Sequence, residues 1–132
     1  MMLAEGLVGS GEPFWVLGFA FLIAHAIADF SLQSEFLALG KNHRSDHSFQ
    51  GLEGTRGIWF HCLTAHSLVH AGAVWIVSGN VYLGLIEFGL HWFIDFIKSE
   101  RWTNFHVDQL LHVLCKAGYV AAIYYSAPAV AG

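Results

Sequence analysis

The chain has 132 residues, of which 55% are hydrophobic and only 12% charged, with a formal charge of -4 that leaves nine histidines uncounted. That length makes one domain, and a mean hydropathy of +0.51 excludes an ordinary water-soluble surface, so the expected solvent is lipid. The absence of a polybasic run or of interleaved aromatic and basic residues argues against a nucleic-acid partner, and 15% aromatics suits membrane-interface belts.

Residues 1 to 12 are Gly-rich and without sustained period, and read as a short lead-in before Pro13, which suits a first helical turn. The apolar run that follows ends in Ala26-Ile27-Ala28, which resembles a cleavage motif. A secretory signal would begin with a positive region, however, and the lead-in carries Glu5 and Glu12 with no Lys or Arg. A retained membrane helix is therefore predicted over residues 14–33, about the 20 residues that a span of about 30 Å requires. Residues 34–57 are polar and charged and form the one long loop, with a short interfacial helix expected at Ser34 to Leu39. His43 and His47 fall in this loop and are left out of any site.

A second span is predicted at 58–78, with Trp59 and Trp75 as interface anchors. Ser78-Gly79-Asn80 makes a tight turn, so this span and the third, at 81–98, form an antiparallel hairpin. After a connection in which Thr103 or Asn104 can cap the next helix, the fourth span runs over 107–125. The expected fold is all-α, an integral membrane four-helix bundle. Cys62 and Cys115 both fall inside apolar segments, which argues against a disulfide framework.

The chemistry lies in steps of four residues, which on a helix place side chains on one stripe. The third span carries Glu87, His91 and Asp95 in this way. The first carries His25 and Asp29, with Gln33 continuing the stripe; the second carries Cys62, His66 and His70; the fourth carries Asp108, His112, Cys115 and Tyr119, with Lys116 at the border. His61 lies about 140° around its helix from His66 and should face elsewhere. Lys41, Arg44 and Arg56 follow the first span, Lys98 and Arg101 follow the third, and the other connections carry no basic residue. The positive-inside rule then places both termini and Gly79 outside and the two basic loops in the cytoplasm. With that orientation His25, His66, His91 and His112 share a layer about 9 to 14 Å from the cytoplasmic ends, Asp29, Asp95 and Asp108 lie nearer those ends, and His70 lies deeper.

The His25-Ala26-Ile27-Ala28-Asp29-Phe30-Ser31-Leu32-Gln33 block, the His66 to His70 pair, the His91-to-Lys98 block and the late Asp108-Gln109-Leu110-Leu111-His112 block resemble a prokaryotic membrane family catalogued as domain of unknown function 3307. The resemblance implies a small helical membrane protein of bacterial or phage type, hence a multi-pass protein of the bacterial inner membrane. It implies no activity. More loosely, the four-step His and Asp pairs are similar to those of membrane-bound metal-dependent hydrolases.

Imidazole and carboxylate groups on facing helices are what a metal site in a bundle core requires. The expected ligands are His25, Asp29, His66, His91, Asp95, Asp108 and His112, with His70 the eighth. They suit one or two divalent transition metals, zinc first, with manganese and iron accepting the same donors. Glu87 is the candidate general base on metal-bound water, a role that competes with an ion pair to Lys116, equally deep on the fourth span. The expected activity is hydrolysis of a lipid or lipid-linked phosphate near the cytoplasmic interface, where Lys41, Lys98 and Arg101 could receive a headgroup or serve as snorkelling anchors. Gln33 and Gln109 are candidate supporting donors. The competing expectations are a non-catalytic subunit or scaffold with a polar His/Asp seam, a metal or proton pathway, and a haem protein with axial histidines. An oligomer or a larger membrane complex is compatible with all of them.

Overall fold

Helix boundaries follow local chemistry at almost every end. In the computed structural model, which describes residues 12–44 and 57–126, Pro13 precedes α1 (Phe14–Ala26), and its carbonyl accepts the Val16 N–H at 2.9 Å. α1 passes directly into a π turn (Ile27–Ser31), closed by the Leu32 N–H on the Ile27 carbonyl at 2.8 Å. α2 (Glu35–Gly40) is the short helix expected after the first span, and Ser34 Oγ caps it by accepting the Leu37 N–H.

α3 (Ile58–Ser78) ends at Gly79, whose φ of 68° lies in the left-handed region that glycine enters without strain. Asn80 then starts α4 (Val81–Ser99) by accepting the N–H groups of Tyr82 and Leu83 at 2.9 and 3.4 Å. Asn104 caps α5 (Phe105–Ser126) through the Val107 N–H at 3.0 Å, which places the helix start two residues before the predicted one. Among the described residues the chain is all helical, without strands. The lead-in before Glu12, His47 with the rest of residues 45–56, and Pro128 lie outside the described residues.

The long helices form a closed cycle: α3 packs on α4, α4 on α5, α5 on α1, and α1 on α3. The α3–α4 approach is close at Gly84, where a Cβ would sit 2.9 Å from the Ala71 carbonyl oxygen and 3.1 Å from Trp75 Cβ. α2 folds back on α3, with Gly40 so near Cys62 that a Cβ would lie 2.7 Å from its Sγ. Residues 14–31 and α3 are each long and apolar enough to cross a membrane.

What the helices bury is the reverse of a soluble protein. α5 buries Asp108, His112, Lys116 and Tyr119, and turns Val107, Leu110, Val113 and Leu114 outward. α4 buries Glu87, His91 and Asp95 and exposes Leu85, Ile86, Leu90 and Phe93. An apolar cluster of Leu17, Phe21, Val74, Val77, Leu83 and Tyr119 fills the end of the interior near Gly79. The buried polar residues share the rest of it with Ala28, Cys62, Leu63 and Ile94.

Candidate metal centre

Every helix of the cycle sends a histidine into the same volume. The rings of His70 and His91 stack at 3.6 Å, those of His91 and His112 at 4.2 Å, and His66 meets His70 and His91 at 4.7 and 5.0 Å. His25 closes the group from α1, 5.2 Å from His70 and 5.3 Å from His112. His61 is exposed, as its angular offset predicts.

His70 does not lie a layer below the others. Side chains lean toward the N-terminus of their own helix. α3 starts at the long-loop end and α4 at Gly79, so His70 leans back toward the level of His66 while His91 leans deeper, and the two rings meet.

Within this group four donors converge. Asp29 Oδ1 lies 3.3 Å from His66 Nε2 and 3.5 Å from His70 Nε2, and His91 completes a set in which one ligand atom from each residue lies within 4.8 Å of the others. A tetrahedral ion with metal–ligand bonds of about 2.0–2.1 Å has donor-to-donor edges of about 3.3 Å. The Nε2 atoms of His66, His70 and His91 are buried, and none has a hydrogen-bond partner. Asp29 reaches them from the π turn. The wider turn re-aims a side chain that a continuous α-helix would present differently, a use typical of π segments. Gln33 secures the turn by donating to the Asp29 backbone carbonyl at 3.1 Å.

Around these donors the other predicted residues hold positions of support. Gln109 Nε2 donates to Asp29 Oδ2 at 2.8 Å, and its Oε1 lies 3.3 Å from His25 Nε2. His25 therefore stands beside the four donors and not among them. His91 Nδ1 lies 3.2 Å from Glu87 Oε1, which fixes the ring with Nε2 turned to the other donors. Glu87 is in turn held by Lys116 Nζ at 2.5 Å and by the Tyr119 hydroxyl at 2.7 Å. Of the two roles that competed for Glu87, the ion pair is the one the geometry contains. Lys116 sits fully on the inward stripe, because Asp108, His112 and Lys116 are strict four-residue steps.

Toward the loop end lies a second group of Asp95, Asp108 and His112. His112 Nε2 is 3.3 Å from Asp95 Oδ1 and 3.6 Å from Asp108 Oδ1. Two lysines reach in. Lys41 Nζ binds Asp95 Oδ2 at 2.6 Å, and Lys98 Nζ binds Asp108 Oδ2 at 2.8 Å and lies 3.6 Å from Asp95 Oδ1. Lys41 is buried, and neither lysine is an extended interface anchor. Beyond its place downstream of the His25-to-Gln33 block in the family resemblance, the sequence signals for Lys41 are the Ser34 cap and Gly40, which together turn α2 back onto α3. Outside the helical cycle, His43 and Arg44 both contact Glu100, and the Arg44 guanidinium holds that carboxyl below the ordinary glutamate range.

A family model described as protein of unknown function (DUF3307) matches residues 17–129. The chain belongs to that family. The matched range contains all four convergent donors, both supporting glutamines and both buried lysines, Lys41 and Lys116. No curated protein and no solved structure gives a match.

Proposed function

We propose that this chain is an integral membrane protein whose α1, α3, α4 and α5 cross the bacterial inner membrane as a four-helix bundle. In this reading it binds a divalent transition metal, zinc first, through Asp29, His66, His70 and His91. The observation that carries the reading is the convergence of three buried imidazole nitrogens, none with a hydrogen-bond partner, on one carboxylate. Carboxylate oxygens lie 3.3 to 3.7 Å from these nitrogens without hydrogen-bond geometry, and a cation at their centre would satisfy all of them together. The 3.6 Å stacking of His70 on His91 supports a small ion over a porphyrin held between these two rings. The membrane reading is supported by ionisable side chains turned inward and aliphatic ones outward on α4 and α5.

Glu87 acts here as the group that orients His91. A second reading, hydrolysis of a lipid-linked phosphate, is favoured by one observation: the ammonium groups of Lys41 and Lys98 stand at the loop-side edge of the donors, where an anionic headgroup would approach. A bound metal would supply Lewis acidity and an acidified water there.

The test is thermal unfolding of the detergent-solubilised protein, stripped by chelator and then titrated with zinc. Binding that is specific to the folded state contributes about 2.7 kcal/mol at a hundredfold excess over Kd, so the midpoint should rise by several degrees in the wild type and stay fixed in His70→Ala. A wild-type midpoint indifferent to zinc, manganese and iron alike would refute the proposal.

A further inference from the structure

The Asp95, Asp108 and His112 group meets the same geometric test as the first donor set, and its one internal hydrogen bond, between His112 Nε2 and Asp95 Oδ1, leaves Asp108 Oδ1 unsatisfied. Its edges of 3.3 and 3.6 Å match those spanned by a single cation. Asp108 Oδ1 is buried, points into the group and has no hydrogen-bond partner, although Asp108 Oδ2 is bound by Lys98 and Gln109. Two carboxylates face one another across His112; Lys98 binds Asp108 Oδ2 and lies 3.6 Å from Asp95 Oδ1, and Lys41 binds Asp95 Oδ2.

Asp95 also links the two groups. Its Oδ1 belongs to the second, while its Oδ2 lies 3.6 Å from His66 Nε2 and 3.7 Å from His91 Nε2, two donors of the first. We infer that the protein holds a second divalent cation at Asp95, Asp108 and His112, bridged to the first through the Asp95 carboxylate. The inference rests on the metal-binding reading of Asp29, His66, His70 and His91.

The two positions differ in chemistry. The first offers three imidazoles and one carboxylate, which suits zinc; the second offers two carboxylates and one imidazole, a harder set that suits manganese. The first position's four donors, with Asp95 Oδ2 as a bridging fifth, fill it, whereas three at the second leave a coordination place for water or a ligand oxygen. The second position is therefore the one open to exogenous ligands, and its flanking lysines select anionic oxygen, the chemistry of a phosphate or carboxylate group. In the metal-free protein the two ammonium groups stand in for the second cation's charge.

Manganese titration of zinc-loaded protein in detergent, followed by electron paramagnetic resonance, reads the two positions separately. Wild type should retain one zinc and take up one further Mn²⁺, with loss of the free-ion signal. Asp108→Asn, which keeps its shape and can still accept from Lys98, should retain the zinc and lose the manganese. Lys98→Met should tighten manganese by about tenfold by removing a competing positive charge, an effect that a purely structural lysine would not give. Protein loaded at both positions with Mn²⁺ should give an exchange-coupled spectrum that Asp95→Asn abolishes. Zinc retained with all added manganese left free would overturn the second position and leave the first standing. No zinc retained, with manganese uptake still dependent on Asp108, would overturn the first reading alone. Manganese uptake unaffected by Asp108→Asn would overturn the inference.

Discussion

Replacing Lys116 by Met leaves the Glu87 carboxylate about 1% exposed with its 2.5 Å cationic partner gone. The Tyr119 hydroxyl and His91 still contact it, but neither supplies a compensating full charge. Breaking a buried pair from one side costs about 3–5 kcal/mol, and Glu87→Gln, which strands the ammonium, belongs in the same range. Losses from two independent sites would add to roughly 6–10 kcal/mol. The double variant Lys116→Met with Glu87→Gln removes both charges and forfeits mainly the one charge-assisted Lys116–Glu87 hydrogen bond, worth about 1.5–3 kcal/mol. Its stability should therefore exceed that of either single variant. The assay is equilibrium unfolding of all four proteins in mixed micelles, read by helical circular dichroism. Losses additive to within about 0.5 kcal/mol would refute the contact and, with it, the assignment of Glu87 as the support of His91.

Gly84→Ala should destabilise by about 1–3 kcal/mol through overpacking, because the new methyl meets the Ala71 carbonyl oxygen at 2.9 Å; a neutral effect on the unfolding midpoint would mean that α3 and α4 sit farther apart. Gly40→Ala should push α2 off α3 and withdraw Lys41 from Asp95, and Cys62→Ala should restore it by removing the Sγ that the methyl meets; trapping of Lys41 by an amine-reactive reagent reports this, and equal labelling in all three proteins would contradict it. Reporter fusions should place both termini outside and Arg44 in the cytoplasm, and a cytoplasmic C-terminus would contradict that topology. The Glu100 carboxyl is held low by Arg44, so its contribution is complete above the ordinary glutamate range and is lost only as pH falls through the depressed value. Tryptic cleavage after Arg44 should accordingly stay slow on mild acidification, and acceleration already at the ordinary glutamate pKa would contradict the contact.

The helices were legible because apolar runs, capping residues and Gly79 all mark the same boundaries, and α3 has the predicted bounds of 58–78. The inward stripes were legible because four-residue steps survive any packing of regular helices. Two features were not. A π turn inserts a local change of pitch that a four-residue count cannot register, so the sequence presents His25 and Asp29 as equals, whereas only Asp29 reaches the convergent nitrogens. Lys41 follows a loop signal in sequence and reads as a surface cation; only the return of α2 onto Cys62, a tertiary contact, carries it to Asp95. The separation of eight candidate donors into two groups likewise depends on which oxygen of Asp95 faces which ring, and no sequence period encodes that.

The central claim is that His66, His70, His91 and Asp29 surround a metal, and elemental analysis of the purified wild-type protein beside His66→Ala and His43→Ala tests it most directly. The expected result is at least one divalent transition metal per chain in the wild type, the same content in His43→Ala, and a sharp loss in His66→Ala. Well under one metal per chain in the wild type after mild extraction, or equal content in all three proteins, would contradict it.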